Sequence, residues 1–290
     1  MFSCPNCHTE MNELKNSFLC PDCGFKPLLE DDILFFNPEI DDGFADYNPQ
    51  SLNHLYKAEE SHFWFLNRKD MIKWAFTKHV EKNERIIEIG AGTGNVTRML
   101  LANGYQDISV GDVHKNGLLY AESYGIKTKY QFDLLKAPFK KHFDAVGMFD
   151  VLEHLEQDHE AVKKVYEILK DKGKFILTVP AHKWLWNRRD VVAGHKKRYT
   201  QGELKKLLKD QGFEIVEAKS FFVSILPLLY LRRFVEKDNG GPVTAEEIDK
   251  EIQINPLTNK VLHTITRIEN KLLQHVSPGI GGSILIVARK

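Results

Sequence analysis

The chain has 290 residues, of which 42% are hydrophobic, so it can form one large domain with a sizeable core and a smaller module. Its 40 basic residues balance its 40 acidic residues, and this neutral charge favours neither nucleic acid nor anionic membranes as partners. The chain contains no run of 18 apolar residues, so no transmembrane helix is predicted. No signal peptide precedes the first cysteine, and we therefore expect a cytoplasmic protein.

All the cysteines of the chain lie near its N-terminus, in two C-P-x-C pairs formed by Cys4 and Cys7, then Cys20 and Cys23. Two such pairs bring four thiolates to the corners of a tetrahedron around Zn²⁺. Two disulfides are the alternative, but a reducing cytoplasm disfavours them. The pattern therefore predicts a structural zinc ribbon over residues 1–28, with no open metal position for catalysis.

An acidic, proline-punctuated linker is predicted over residues 29–50. It leads into an aromatic segment in which Trp64, Arg68 and Ile72 would share one face of a helix. This helix could simply pack on the edge of a sheet. It could also act as a lid, with Arg68 pairing a carboxylate of a ligand and the aromatic rings excluding water.

The most informative stretch is E-x-G-x-G-x-G over residues 88–94, which follows an apolar run. A second apolar run, over residues 108–111, ends in Asp112. This pattern is typical of a nucleotide-binding crevice at the carboxyl ends of two parallel strands, where an acidic residue accepts hydrogen bonds from ribose. The third glycine comes one residue earlier than in the dinucleotide fingerprint, and a P-loop lysine is absent.

Further strands are predicted over residues 130–133, 143–150 and 174–180. Carboxylates follow the first two of them, at Asp133 and Asp150. A single aspartate at the end of a strand could simply belong to the following turn, because aspartate favours turns. A series of them in register with a glycine loop instead predicts an α/β fold with a ligand crevice.

These motifs, with F-D-L at residues 132–134 and D-V-L-E-H at residues 150–154, resemble the class I S-adenosylmethionine-dependent methyltransferases. The resemblance covers about residues 84–218 and the final strand. It implies a Rossmann-like sheet of seven strands, the last antiparallel, in a domain over residues 51–290 with a helical insertion over residues 221–280. It also implies these residues for binding S-adenosylmethionine: Arg68, Glu88, Gly90, Ala91, Gly92, Thr93, Gly94, Asp112, Val113, Asp133, Leu134, Phe149 and Asp150.

The loop after the fifth predicted strand, over residues 180–200, carries two histidines, two tryptophans and a basic cluster. It could be a solvated loop, but exposed tryptophans are costly unless they pack or bind. Its pattern resembles a bacterial and archaeal methyltransferase subfamily whose members often accompany glycan and polyprenyl-linked sugar enzymes. We expect acceptor contacts from His182, Trp186, Arg198 and Tyr199.

Three residues are candidates for catalysis: His154, Asp190 and His195. His154 could act as a base or a metal ligand, or could simply cap the following helix. Some quinone-pathway relatives carry a metal at E-x-x-E-H. Here the first position of that motif is Asp150, which argues against a metal.

The apolar segment over residues 221–231 is too short to span a bilayer. It could be buried under the sheet. Alternatively, residues 221–234 could form an interfacial helix that holds the protein peripherally at the inner face of the membrane. Apolar spacing predicts an amphipathic helix over residues 261–273.

The predicted function is methyl transfer from S-adenosylmethionine to an oxygen or nitrogen of a small-molecule or lipid-linked glycan acceptor, with Zn²⁺ as a structural cofactor. The oligomeric state is not predicted. One alternative is an RNA methyltransferase, because the zinc ribbon resembles that of ribosomal guanine-N1 methyltransferases. The neutral charge opposes nucleic acid as a partner. A second alternative is a non-enzymatic scaffold that binds the cofactor.

Overall fold

The computed structural model describes residues 1–14, 17–40, 56–236, 241, 243, 247 and 253–290. Residues 41–50 of the predicted linker and the first five residues of the predicted methyltransferase domain lie outside the described residues. Within the described part of the chain, no helix combines the length and the apolar composition needed to cross a membrane.

The N-terminal module is a small antiparallel sheet of β1 (Phe2–Ser3), β2 (Glu10–Leu14) and β3 (Ser17–Leu19). It packs directly on the rest of the protein. The ring of Phe2 lies 5.3 Å from that of Phe139 and 6.0 Å from that of Phe36, and the Ser3 N–H donates to the carbonyl of Pro138 at 2.8 Å. The predicted ribbon is therefore fixed to the main sheet through aromatic packing.

The main sheet has nine strands in the order β11-β12-β10-β9-β6-β7-β8-β5-β4. The pairs from β5 to β10 are parallel, and β12 runs antiparallel between β10 and β11. This confirms the predicted α/β class and the antiparallel last strand. The strands are β4 (Leu28–Glu30), β5 (Ile33–Phe35), β6 (Arg85–Ile89), β7 (Asp107–Asp112), β8 (Thr128–Gln131), β9 (Phe143–Phe149), β10 (Leu169–Pro180), β11 (Glu214–Phe221) and β12 (Ser283–Arg289).

The predicted count of seven strands was wrong, because β4 and β5 extend the sheet into the predicted linker. Asp31 and Asp32 both have positive φ, at 51° and 55°, and join these strands in a two-residue hairpin. Turns of this kind match the right-handed twist of the flanking strands, and aspartate tolerates the left-handed region. The acidic pair is a hairpin turn, and burial of Ile33 and Phe35 stabilises the added edge.

Helices cover both faces of the sheet. Along each strand, alternate side chains point to opposite faces, so Ile86 packs against α1 and α2 while Ile87 packs against the α4 side. The main helices are α1 (Phe63–His79), α2 (Asn95–Ala102), α3 (Lys115–Ser123), α4 (Asp158–Ile168), α5 (Arg188–Val192), α6 (Gln201–Asp210), α7 (Leu226–Val235) and α8 (Pro256–Leu273). The stretch predicted as an insertion holds α7 and α8.

The strand order reverses beside β6, because β7 and β8 follow it on one side while β9 and β10 lie on the other. In open α/β sheets, ligands bind outside the carboxyl ends of the strands at such a reversal. The loops that follow β6 and β9 therefore face one crevice.

Candidate active site

The glycine loop connects the end of β6 to the start of α2. Gly90, Gly92 and Gly94 have φ values of 69°, 53° and 78°, a region that other residues adopt only with strain. A Cβ atom on Gly90 would lie 2.4 Å from Cγ2 of Val151. The loop is held to β7 by hydrogen bonds from the Gly90 and Ala91 N–H groups to one carbonyl, that of Gly111. Glycine is thus required here by both conformation and space.

Asp112, at the end of β7, braces the same loop. Its Oδ2 accepts a hydrogen bond from the Gly92 N–H at 2.8 Å, and its Oδ1 accepts one from the His114 N–H at 2.9 Å. Burial raises the pKa of this carboxyl group, and these hydrogen bonds oppose the rise. A carboxylate has about four lone-pair positions, and Asp112 lines the crevice, so it can accept a further hydrogen bond from a ligand.

Glu88 lies under the loop, outside the crevice. Its Oε2 accepts hydrogen bonds from the Thr97 N–H at 2.9 Å and the Thr97 hydroxyl at 2.6 Å, so it fixes the first turn of α2 to the end of β6. Burial raises its pKa to about 7, although the bonds from Thr97 act in the opposite direction. The structure therefore gives this predicted cofactor residue a supporting position.

Stability should depend on pH through Glu88. Because its folded pKa lies above the ordinary value of 4.5, the neutral carboxyl stabilises the fold fully below pH 4.5, and this contribution is lost as the pH rises through about 7. Between pH 5 and pH 8 we expect the unfolding free energy of the unmodified protein to decline by about 1 to 3 kcal/mol through Glu88. In Glu88→Gln this decline should be absent. Urea unfolding across this range measures it.

The matched control is Glu214→Gln, which changes an exposed carboxylate on β11 and should keep the decline of the unmodified protein. An unfolding free energy that declines with pH as steeply in Glu88→Gln as in the unmodified protein would show that Glu88 titrates normally in the folded state.

The side of the crevice beyond Asp112 is mainly apolar. Val113, Phe132 and Leu134 line it together with Asp133. The Asp133 N–H donates to Oδ1 of Asn37 at 3.1 Å, so the chain after β5 helps to place this wall. An apolar slot beside a carboxylate has the chemical character of a site for a nucleoside base.

Arg68 projects from α1 over the end of β9. Its Nη1 donates to Oδ2 of Asp150 at 2.5 Å and to the carbonyl of Phe149 at 3.2 Å, and its guanidinium lies 4.8 Å from the centre of the Trp64 ring. Asp150 has a φ of 58° and also accepts a hydrogen bond from the Thr178 hydroxyl at 2.9 Å. The partner of Arg68 in this structure is therefore a side chain at the end of β9, so α1 closes one side of the crevice through an ion pair.

The crevice opens into a cavity of about 1320 Å³. Among the described residues, most of the predicted site lines it, and five predicted residues do not: Glu88, Gly94, His182, Trp186 and Tyr199. The predicted residues that line it are Arg68, Gly90, Ala91, Gly92, Thr93, Asp112, Val113, Asp133, Leu134, Phe149, Asp150, His154, Asp190, His195 and Arg198.

Three of the predicted acceptor residues have other surroundings. The Tyr199 hydroxyl donates to Oδ2 of Asp158 at 3.0 Å inside the protein, so it joins the loop to α4. The His182 ring stacks on that of Trp184 at 5.2 Å. Trp186 is half-buried beside α5 but lies outside the cavity lining. Arg198 is therefore the one of the four predicted acceptor residues that lines the cavity.

Asp190 organises the opposite end of the cavity. It is buried, and its Oδ1 accepts from Nδ1 of His195 at 2.8 Å and from Nε of Arg198 at 2.7 Å. Burial alone would raise the pKa of Asp190, but the His195 hydrogen bond and the Arg198 charge outweigh it and hold the pKa below its ordinary value. Arg198 therefore acts on Asp190, and His195 has one ring nitrogen oriented by a carboxylate.

Glu153 lies beside this pair and is fully buried. Neither of its carboxylate oxygens has a hydrogen-bond partner within the described residues, and its Oε1 lies 3.9 Å from Nε2 of His195. Burial first, and then the nearby Asp150 charge, raise its pKa well above the ordinary value. Ligand atoms of Glu153, His154 and His195 lie within 4.8 Å of one another, a spacing at which side chains can converge on a divalent cation.

Two residues of the cavity wall were missed by the sequence analysis. Glu59 accepts a hydrogen bond from the Thr93 hydroxyl at 2.5 Å, and burial raises its pKa. Glu153 was visible as part of the D-V-L-E-H motif, but its burial was not. A carboxylate in a segment without a recognised motif, such as Glu59, carries no local signal of its position in the fold.

The four cysteines are close enough for one metal ion. Sγ of Cys4 lies 3.5 Å from that of Cys23, and Sγ of Cys7 lies 3.4 Å from that of Cys20 and 3.6 Å from that of Cys23. A disulfide would need about 2.05 Å, whereas a tetrahedron with Zn–S bonds of about 2.3 Å has edges of roughly 3.8 Å. The residues present therefore fit Zn²⁺.

Comparisons with known proteins agree with this geometry. A family model described as a methyltransferase domain matches residues 49–218. A protein of Mycolicibacterium smegmatis, named "Probable S-adenosylmethionine-dependent methyltransferase", is 23% identical over 72% of this chain and 80% of its own length. An uncharacterized methyltransferase of Staphylococcus carnosus is 30% identical over 32% of this chain, and the match spans 45% of that protein.

A solved structure shares the fold. Phosphoethanolamine N-methyltransferase 2 of Haemonchus contortus, in complex with phosphomonomethylethanolamine and S-adenosylhomocysteine, aligns with a TM-score of 0.54 at 15% identity. The alignment covers 85% of this chain and 59% of that one. Since the family match spans more than half of the sequence, and the glycine loop and Asp112 face one crevice, the chain belongs to the methyltransferase domain family and is an S-adenosylmethionine-dependent methyltransferase.

Proposed function

We propose that the protein methylates an oxygen or nitrogen atom of a small-molecule or lipid-linked glycan acceptor. The observation that carries this proposal is the continuity of one cavity from the glycine loop to the Asp190–His195 pair and on to apolar side chains of α7, Leu228 and Leu231 among them. Polar groups at the centre suit a polar acceptor group, and the apolar end suits a lipid portion.

The cofactor would be held by the loop and its neighbours. Residues 90–93 and Asp112 would bind the amino-acid and ribose portions, and Val113, Asp133 and Leu134 would surround the base. When bound, S-adenosylmethionine supplies an electrophilic methyl group on a sulfonium. The protein has to align the acceptor with that methyl group and exclude water, and the aromatic side chains of Trp64, Phe65 and Phe149 around the cavity supply the exclusion.

His195 is the proposed base. Asp190 is an ionised acceptor, so Nδ1 of His195 donates its proton to that bond and Nε2 has a free lone pair. With a hydroxyl acceptor, Nε2 would take up the proton that the hydroxyl oxygen loses as it accepts the methyl group, and the demethylated cofactor would leave as a neutral thioether. The carboxylate of Asp190 then stabilises the imidazolium, and Arg198 keeps that carboxylate in place.

The acceptor class can be found with radiolabelled S-adenosylmethionine and cell extract separated into lipid, RNA, protein and small-molecule fractions. We expect label in the lipid or the small-molecule fraction. Label in RNA would support the RNA methyltransferase alternative, and a salt-sensitive RNA shift would then follow. Cofactor binding without label in any fraction would support the non-enzymatic scaffold.

With the labelled fraction as substrate, His195→Gln should lower kcat about 10²- to 10³-fold while the Kd for S-adenosylmethionine stays unchanged, because the base acts only in the chemical step. His182→Asn is the matched control. His182 lies outside the cavity lining, its φ of 59° is tolerated by asparagine, and kcat should persist. Steady-state kinetics and calorimetry separate the two effects, and an unchanged kcat in His195→Gln would remove its role as base.

Peripheral membrane contact through the part of residues 221–234 that forms α7 belongs to the same proposal. The predicted interfacial helix does not extend over the first part of that range, because β11 ends at Phe221 and Phe221, Phe222 and Ile225 are buried in the core. None of the side chains of α7 is buried, and Leu231 and Phe234 are exposed. An exposed apolar helix beside the cavity would let a lipid-linked acceptor reach the methyl group without passing through water.

A further inference from the structure

Helix α8 packs against the protein through its polar side. Oδ1 of Asn259 accepts from the Phe63 N–H at 2.8 Å, and the two carboxylate oxygens of Glu269 accept from the Val223 and Ser224 N–H groups at 2.8 Å and 2.6 Å. Nδ2 of Asn270, one residue further, donates to the backbone of α1 at 2.9 Å. This row of hydrogen bonds fixes the rotation of α8 about its axis.

The opposite side of α8 is apolar and faces solvent. Its residues are spaced by four, four, three and four positions, so they form one stripe along the helix. The exposed fractions are 72% for Leu257, 48% for Val261, 42% for Ile265, 58% for Ile268 and 62% for Leu272. A surface helix normally points its apolar residues at the core. Leu262 and Leu273 of α8 do so, but the longer apolar stripe of this helix lies on the solvent side and departs from that rule.

The exposed apolar residues are concentrated in this part of the sequence. Of the 20 large hydrophobic residues that are exposed in the described chain, 13 lie between residues 228 and 280. They include Leu231 and Phe234 on α7, which borders the cavity. Scattered exposed apolar residues need no explanation, but a contiguous apolar stripe such as that of α8 marks a binding surface.

The charges on α8 select the kind of partner. The exposed charged side chains of this helix are Lys260, Arg267 and Lys271, all basic, and its single acidic residue, Glu269, is buried. The whole chain is neutral, so this basic character is local. An apolar stripe flanked by cations is typical of helices that lie in an anionic lipid interface.

We propose that the outer face of α8 docks on the surface of a bilayer that contains anionic lipids. The stripe inserts between the acyl chains, and Lys260, Arg267 and Lys271 contact the headgroups. A second copy of the chain fits this face less well, because it would bring the same basic side chains of both protomers together. The inference adds α8 to the membrane contact proposed for residues 221–234 and specifies that the lipids are anionic. It rests on the proposed function only in that the docked protein would turn its cavity toward the membrane.

The test is flotation of the full-length protein with vesicles of phosphatidylcholine, with and without phosphatidylglycerol. We expect flotation with the anionic vesicles and a loss of binding at high salt. The double variant Ile268→Glu with Leu272→Glu should lower vesicle partitioning at least about tenfold. Lys260→Gln, Arg267→Gln and Lys271→Gln combined should lower it about tenfold or more, for anionic vesicles only.

Leu119→Glu is the control, because it makes the same kind of substitution, at one position, at an exposed leucine on α3 and should leave flotation unchanged. Calorimetry of S-adenosylhomocysteine binding should give one affinity for all these variants, which separates docking from the methyltransferase site. Equal flotation of the unmodified protein and both α8 variants would overturn the proposal. So would a dimer in analytical ultracentrifugation that the α8 double variant dissociates.

Discussion

Replacing Gly92 with arginine should abolish binding of S-adenosylmethionine while zinc content stays at that of the unmodified protein. Gly92 has a φ of 53°, its N–H donates to Asp112, and it lines the cavity. Its carbonyl oxygen lies 2.5 Å from the position that a Cβ atom on Gly117 would occupy, so the loop is pressed against α3. Because Gly92 lines the cavity, we expect an arginine side chain there to occupy the space of the cofactor.

Gly104→Arg is the matched control for this prediction. Gly104 also has a positive φ, at 86°, but a Cβ atom there would have no neighbour within 4 Å. The control should cost about 1 kcal/mol of stability and retain the affinity for cofactor. Calorimetry with S-adenosylhomocysteine measures the affinity. If Gly92→Arg bound it with the same affinity as Gly104→Arg, the assignment of the glycine loop to cofactor binding would be refuted.

Replacing Cys20 with serine should release the zinc and unfold residues 1–28, while cofactor binding persists. Cys20 is buried in the small cluster that also contains Phe18, and a segment of this size cannot form a sufficient core without its metal. The rings of Phe36 and Phe139 would become exposed where Phe2 packs on them. The melting temperature should therefore fall, although β6 and β7 keep the glycine loop.

His8→Asn is the control for the ribbon. His8 is exposed beside Cys7 and has a φ of 63°, which asparagine tolerates, and four sulfurs already complete the metal shell. Elemental analysis, circular dichroism and limited proteolysis should show loss of zinc and cleavage within residues 1–28 only in Cys20→Ser. Stoichiometric zinc in Cys20→Ser would contradict the four-cysteine site.

Local motifs explain why much of the site was predictable. The spacing of Gly90, Gly92 and Gly94 encodes a backbone conformation, and Asp112 follows directly from the end of the next strand. Both signals lie within short stretches whose physical meaning does not depend on distant residues. The cysteine pairs are equally local, since each pair forms its own turn.

Partners far apart in sequence explain what the sequence could not predict. Arg68 pairs with Asp150, which lies 82 positions away in the sequence. Arg198 was predicted to contact the acceptor, and in the structure it donates to Asp190, the residue that orients His195. Tyr199 was expected at the acceptor, but its hydroxyl is engaged by Asp158. In each case a long polar side chain has several possible partners, and the fold selects one of them.

By itself, the amino-acid sequence determined the class of fold, the glycine loop and the four thiolates, because each depends on residue spacing and on the conformations that glycine and cysteine pairs allow. Only the tertiary structure decided that Asp31 and Asp32 form a hairpin turn and that Asp190 orients His195. It also decided that α8 turns its apolar stripe to solvent. The physical reason is that a periodic pattern defines the two sides of a helix, whereas hydrogen bonds from distant backbone groups decide which side is buried.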